Sequence, residues 1–387
     1  MTFFGGHVVI SWWKYYKFAQ LRLIIGGLIA PGLLLLSACG GDVSKPKARP
    51  QQQILNPTNF MQLSGWKGQD HGLALAAFKR SCERFDTFPK GYMFSYPGGS
   101  VDQWRGACAA AKSTPVSQGK KFFEKYFTPY EVTNNGKKNG LFTGYYEIEL
   151  TGSITPDERY RYPLYKLPPQ LRYPFLGRRR IDSELELEGK GLELVYVDDP
   201  VELFFLHIQG SGRVRLADGS VMRVGYAGKN GCPYRSIGGY LIREGEMTRA
   251  EVTAPAIKQW LRDNPDKAQA VMNTNQSYVF FREVKGKDGP IGAQGVALTP
   301  EGSIAIDPAF IPYGMPVWLD TTIPKTKEYG AEHSYQRLLI AQDTGGVIRG
   351  VVRGDVFFGY GHRAAVLAGH MKQQGSYYLL IPNTVSP

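Results

Sequence analysis

Three aspartates stand late in the 387-residue chain, each in a segment whose composition could support acid–base chemistry. Ala305-Ile306-Asp307-Pro308 runs on into Ile311-Pro312-Tyr313-Gly314. Ile340-Ala341-Gln342-Asp343-Thr344-Gly345-Gly346 follows, and then Val352-Arg353-Gly354-Asp355-Val356-Phe357-Phe358-Gly359. Each carboxylate abuts an apolar, strand-like run, where a charge is costly unless it is hydrogen-bonded or put to work. Taken singly, each reads better as an aspartate closing a turn. Together, with neighbouring glycines that let a long polymer approach the backbone, they point to acid–base chemistry on an extended substrate.

Other chemistries fit less well. Asp343-Thr344-Gly345 matches the aspartic-protease signature, but such enzymes need two carboxylates sharing a proton and the motif occurs once. Gly210-Ser211-Gly212 lacks the Gly-x-Ser-x-Gly spacing of a nucleophile elbow and reads as a substrate-contacting loop. His71, His207, His333, His362 and His370 form no His-Glu-x-x-His pattern, so no metal site and no cofactor is expected. His362 and His370 lie two turns apart on one expected helix, as structural residues. Four cysteines without a Cys-x-x-Cys pair exclude zinc-ribbon, iron–sulfur and disulfide-scaffold classes. Cys82 and Cys108 fit a structural disulfide or buried thiols equally well.

The surrounding elements read as a globular α+β chain, mainly β, with 43% hydrophobic and 21% charged residues. Its 46 Gly, 25 Pro, 23 Tyr and 20 Phe favour short strands and turns over a helical bundle. Leu75, Phe78, Cys82 and Phe85 mark one face of a helix over 72–86. Ser117 is placed to cap a second helix presenting Phe122, Phe123, Tyr126 and Phe127. Strands are expected at Leu141–Leu150, Leu192–Val197, Leu203–Ile208 and Val221–Tyr226. Residues 234–272 return to helix, with a capping box at Thr248 and Glu251 ahead of Ile257, Trp260 and Leu261. From 278 onward strands dominate, save one helix near His362–Met371, and the last strand covers Tyr377–Ile381.

The first 22 residues hold three basic residues and no acid, and Leu23 to Leu36 is an apolar run of signal-peptide length. It ends in Leu36-Ser37-Ala38-Cys39-Gly40, which resembles a bacterial lipobox. Residues 1–38 are therefore expected to be a signal peptide, Cys39 the lipidated first mature residue, and 39–55 a solvated tether. Gly40 after the cysteine is compatible with sorting to the outer membrane. The formal charge of +12 falls to +9 once Lys14, Lys17 and Arg22 leave with the leader. An exported basic chain has the cell wall or phospholipid as anionic partner, not nucleic acid.

Phe142-Thr-Gly-Tyr-Tyr-Glu147, Asp199-Pro-Val-Glu-Leu-Phe204, Gln209-Gly-Ser-Gly212, Tyr226-Ala-Gly-Lys-Asn-Gly231, Tyr234-Arg-Ser-Ile-Gly238 and Tyr278-Val-Phe-Phe281 occur in that order ahead of the three aspartates. From about residue 60 to the end, this series resembles the membrane-bound lytic murein transglycosylase A family. The resemblance implies a double-psi β-barrel from residues 56–147 plus 284–387, with a smaller β-rich substrate-binding domain inserted at 148–283. It implies non-hydrolytic cleavage of the MurNAc–GlcNAc β-1,4 bond of peptidoglycan, leaving 1,6-anhydromuramoyl ends, on the periplasmic face of the outer membrane. Asp355 would be the single acid/base, with Asp343 and Asp307 supporting it. Thr143, Gly144, Tyr145, Gln209, Gly210, Ser211 and Asn230 would contact saccharides, although Tyr145 also suits core packing. Arg349 would pair with a stem-peptide carboxylate or remain a solvated arginine. A non-catalytic wall-binding lipoprotein on the same barrel, and a hydrolase pairing Asp343 with Asp355, are the competing readings.

Overall fold

The computed structural model describes residues 50–171, 175–286 and 288–387; the expected leader, Cys39 and the tether up to residue 49 lie outside the described residues. After strand β1 (Gln53–Pro57), three helices pack in sequence: α1 (Gly72–Asp86), α2 (Val101–Ser113) and α3 (Gly119–Tyr126). Along α1 the expected face is buried, from Leu75 through Phe78 and Cys82 to Phe85. Its Cys82 is disulfide-bonded to Cys108 of α2. A capping box starts α2, with Gln103 accepting from the Ser100 amide at 2.8 Å. Ser117 does not cap α3. It lies inside a 3-10 turn, Val116–Gln118, because the chain is already helical when it reaches that serine.

The strands that follow are β2 (Phe127–Asn134), β3 (Gly140–Ser153), β4 (Tyr162–Tyr165), β5 (Glu193–Val197), β6 (Ser211–Leu216), β7 (Val221–Lys229) and β8 (Val279–Glu283). Interleaved with them are helices α4 (Arg178–Asp182), α5 (Pro200–Gln209), α6 (Ile237–Arg243), α7 (Ala254–Asp263) and α8 (Pro265–Asn273). The strand expected at Leu203–Ile208 is the body of α5. Its ends decide the matter over its apolar composition. The Asp199 side chain accepts from the amides of Val201 and Glu202, Pro200 occupies the first turn, and Gly210 closes the helix at φ +80°. Thr248 and Glu251 do exchange capping-box hydrogen bonds, yet they close a turn; α7 begins later, with Thr253 accepting from Ala256 N.

Four further strands, β9 (Ser303–Ala305), β10 (Pro316–Ile323), β11 (His333–Asp343) and β12 (Arg353–Tyr360), precede helix α9 (His362–His370) and strand β13 (Lys372–Pro382). Six strands pair in a circuit that returns to its start. From β13 it runs through β10, β11, β9, β12 and β3, and β3 then pairs back with β13. Two of these contacts, β11 with β9 and β12 with β3, are parallel. Inside and beside the circuit lies one apolar core containing Phe78, Trp104, Phe142, Trp318, Leu339 and Ile381.

Strand β3 is long enough to serve two sheets. Its first half belongs to the circuit, and from Ile148 it pairs with β6 in parallel and then with β5. A second core, drawn from residues between Ile148 and Phe281, packs α5, α6, α7 and α8 on that sheet. The result is a mixed, sheet-rich α+β fold in which one strand is shared between two large apolar cores, with two smaller clusters beside them.

Candidate active site

The parallel register of β12 on β3 sets Asp355 beside Thr143 and Phe357 beside Tyr145. Strand β9 completes the arrangement, because Ala305 pairs with Asp355 on one side and with Asp343 on the other. Two of the three aspartates are thereby brought to neighbouring strands. Alternation along β3 keeps Thr143 and Tyr145 on one face and turns Gly144 to the other.

The two carboxylates are supported unequally. Asp343 accepts three hydrogen bonds: Tyr145 Oη at 2.8 Å, Ala293 N at 2.9 Å and Thr344 N at 2.9 Å. Asp355 accepts one, from Thr143 Oγ1 to Oδ1 at 2.6 Å. Arg353 in turn donates to Thr143 Oγ1 at 2.8 Å and to the carbonyls of Leu141 and Gly354. Burial pushes both aspartates above the ordinary carboxylate range. At Asp355 the rise is opposed by the Arg353 charge and the Thr143 hydrogen bond. At Asp343 it is opposed by the Tyr145 hydroxyl and the two amides, while the Asp355 charge adds to it. Burial, then the Asp343 charge, hold Tyr145 well above its usual value, so its hydroxyl remains a donor. Both carboxylates keep partial exposure among these protein groups. Phe357, Leu298 and Ala305 form a small apolar wall around Tyr145, whose ring lies 5.2 Å from that of Phe357.

Asp307 stands apart from this pair. Its buried carboxylate accepts from Ala309 N at 3.2 Å and Gly350 N at 2.8 Å. It fastens the loop that joins Asp343 to Asp355 and, among the described residues, hydrogen-bonds neither of them. The support for Asp355 that the resemblance implies for Asp307 would therefore act through that loop and not through a hydrogen bond to Asp355.

The expected saccharide contacts divide in the same way. Thr143 and Tyr145 are at the carboxylates. Gln209, the last residue of α5, accepts from the Tyr146 amide at 3.1 Å and so ties that helix to β3. Ser211 opens β6 opposite Gly225 and is buried, while Gly210 is the left-handed helix end. Gly144 does not face the carboxylates. A Cβ there would come within 2.6 Å of the Phe358 ring and 2.9 Å of Ala368 Cα, so it is a close-packing glycine under α9. Asn230 is fully buried. Its Nδ2 donates to the carbonyls of Leu176 and Gln276, and its Oδ1 accepts from Tyr278 N and Cys232 N. No polar group of that side chain is left for a sugar, because the loops it braces use all of them. Arg349 is exposed and donates to the carbonyls of Gly345 and Ile348.

Arg353 is the residue that the sequence reading passed over. Its signal was available, since two residues before Asp355 on one strand means the same face. A cavity of about 470 Å³ elsewhere, lined by Leu55, Tyr96, Tyr130 and Ile381 among others, is lined by no side-chain carboxylate and by none of the site residues.

Comparison with known proteins adds independent support. The family model described as the MltA specific insert domain matches residues 141–282, and that of the 3D domain matches 302–381. The membrane-bound lytic murein transglycosylase A of Vibrio cholerae is 33% identical over 250 residues, covering 63% of this chain and 67% of its own. The crystal structure of MltA from Neisseria gonorrhoeae is similar with a TM-score of 0.73 at 34% identity, over 87% of this chain and 94% of that one. The lytic transglycosylase LtgG of Burkholderia pseudomallei is 43% identical with a TM-score of 0.59, over 87% and 98% respectively.

Proposed function

Because the chain belongs to the membrane-bound lytic murein transglycosylase A family, whose members are peptidoglycan-cleaving lyases, we propose that it cuts the MurNAc–GlcNAc β-1,4 bond without water and that Asp355 is its single acid/base. The observation that carries this reading is the unequal bonding of the two partly exposed carboxylates. Three donors favour the ionised form of Asp343, whereas Asp355 has one and an unengaged Oδ2 among the described residues. Asp355 is the group suited to hold a proton.

The chemistry follows from that asymmetry. Protonated Asp355 gives its proton to the glycosidic oxygen as the C1–O bond breaks. The C6 hydroxyl of the same muramoyl unit attacks C1, and its proton returns to Asp355 as the 1,6-anhydro ring closes. An attacking group within the substrate has a high effective molarity, so no second carboxylate is needed to activate water. The Asp343 carboxylate faces the positive charge that develops at C1. Thr143, Tyr145 and the Gln209–Ser211 segment are read as the saccharide-facing groups, and Arg349 as a stem-peptide contact.

The six-strand circuit supports a double-psi barrel built from 56–147 plus 284–387. The second core supports an inserted domain at 148–283, with the glycan lying between the two. Relatives are named membrane-bound, and lipidation at Cys39 would hold the enzyme on the periplasmic face of the outer membrane; the expected tether must end before residue 53, because Gln53, Ile54 and Leu55 are already paired with β2.

The test uses the chain from Gly40 onward and its Asp355→Asn variant with purified peptidoglycan, read by mass spectrometry of the released muropeptides. Products one water lighter than hydrolytic fragments, absent with the variant, are the expected result. Full-mass reducing ends would mean a hydrolase using both aspartates. Sacculus binding without release would mean a wall-binding module.

A further inference from the structure

We propose that Arg353, acting through the Thr143 hydroxyl, fixes which oxygen of Asp355 carries the catalytic proton. The inference rests on the reading of Asp355 as the acid.

Thr143 Oγ1 has one hydrogen to give and lone pairs to offer. Arg353 Nη2 sits 2.8 Å from it, and a guanidinium can only donate. The hydroxyl therefore accepts from Arg353 with one lone pair, and in the observed arrangement it donates its own hydrogen to Asp355 Oδ1 at 2.6 Å. Without Arg353 the same hydroxyl could turn and accept from a protonated Asp355 instead. Two backbone carbonyls, of Leu141 and Gly354, also hold the guanidinium, so the direction of the relay is built into β3 and β12.

The consequence concerns the proton. An Oδ1 that permanently accepts a hydrogen bond cannot also point an O–H along that line, so the neutral acid carries its hydrogen on Oδ2. That oxygen makes no hydrogen bond among the described residues and is open to a glycosidic oxygen. Each turnover takes the proton from Oδ2 to the leaving oxygen and returns the C6 hydroxyl proton to Oδ2. Thr143 Oγ1 keeps its hydrogen throughout.

Arg353 has a second effect, since its positive charge favours ionised Asp355 against burial. The groups facing Asp355 are Arg353 from its own strand, Thr143 and Tyr145 from β3 and Asp343 from β11. Lys372 of β13 pairs with Thr143 but its side chain is exposed. Arg353 is thus a positioning residue, and its removal has a signature that loss of packing lacks.

The experiment follows anhydromuropeptide release by the full chain in detergent, across pH, for Arg353→Met, Arg353→Lys, Thr143→Val and the Met/Val double variant. On the plateau, Arg353→Met is expected to lower kcat by about tenfold to a hundredfold, less than general acid catalysis supplies as a whole, with KM unchanged. The limb on which activity falls with rising pH moves to higher pH, because the cation that favoured ionised Asp355 is gone. Arg353→Lys keeps the charge and returns the limb. Thr143→Val lowers kcat comparably, and adding Arg353→Met to it costs nothing further.

Multiplicative losses in the double variant, or an unmoved limb in folded Arg353→Met, would overturn the proposal. If Arg353→Met does not fold, Thr143→Val with a wild-type kcat overturns it alone. Activity in Asp355→Asn would instead remove the acid assignment beneath it, which separates the two failures.

Discussion

Replacing Tyr145 by Phe removes one oxygen and leaves the ring in place against Phe357, Leu298 and Ala305. What is lost is the 2.8 Å hydrogen bond to Asp343 Oδ2, leaving that carboxylate with the amides of Ala293 and Thr344. A hydrogen bond to an ionised group contributes about 1.5–3 kcal/mol. At about 1.4 kcal/mol per tenfold, the loss of transition-state stabilisation is bounded at roughly tenfold to 150-fold. The direction in pH also follows. The Tyr145 hydroxyl lowers the Asp343 pKa against burial, so its removal raises it. If ionised Asp343 faces the charge at C1, activity fails as pH falls through that pKa, and the acidic limb of the profile moves to higher pH. Stability moves in concert. The folded-state pKa of Asp343 is already raised, so its contribution to stability is lost as pH rises through that value, and the variant, with a higher pKa still, loses more over a wider pH range. The deficit is therefore present at neutral pH and shrinks in acid, where Asp343 is neutral in both proteins. Urea unfolding at two pH values and kcat across pH read both effects. A Tyr145→Phe enzyme with an unmoved acidic limb and wild-type kcat would refute the role given to Asp343.

Two further substitutions test the reasoning about burial. Asp355→Asn removes a carboxylate whose pKa burial raises, so the variant should be more stable than wild type at neutral pH by about 0.5–2 kcal/mol. That gain should vanish in acid, where wild-type Asp355 is itself protonated; a gain independent of pH in urea melts would mean the charge is not its source. Asn230→Ala strands two carbonyls and two amides, and at about 0.5–1.5 kcal/mol each should cost about 2–6 kcal/mol. Its kcat and KM at a permissive temperature should match wild type, and a raised KM at unchanged stability would restore Asn230 as a saccharide contact.

How much of this was legible in the sequence depended on whether a signal was local. The α1 face and the β3 run could be read because periodicity carries them, and residue type singled out the late aspartates, two of which the fold brings to strands flanking β9. The Leu203–Ile208 segment went wrong because six apolar residues fit a buried strand or a buried helix. The deciding Asp199-Pro200 and Gly210 lie outside the apolar run. Asn230 looked like a binding residue because an exposed amide and a loop-bracing amide are the same letter. Only the positions of Leu176, Gln276 and Tyr278, distant in sequence, distinguish them. Asp307 shared the pattern of its two neighbours, and its different role appears only when the loop to Gly350 closes over it.

The shared strand gives the site its internal logic. Along one face of β3 come Thr143 on Asp355, Tyr145 on Asp343, and then Glu147, buried and held by Arg213 of β6 at 3.3 Å. Gly359, at φ +90°, lies where β12 shifts its register on β3 between Phe357 and Tyr360. The shift sets Tyr360 opposite Glu147, with the Arg213 guanidinium 3.5 Å from its ring centroid. The next residue of β3, Ile148, already pairs with β6 of the second sheet. A displacement of that sheet along β3 therefore acts on the strand carrying the hydrogen-bond partners of both site carboxylates, with no loop between to absorb it. If Asp355 is the acid and a glycan spans both sheets, the geometry at the cleaved bond and the seating of the polymer are one mechanical problem.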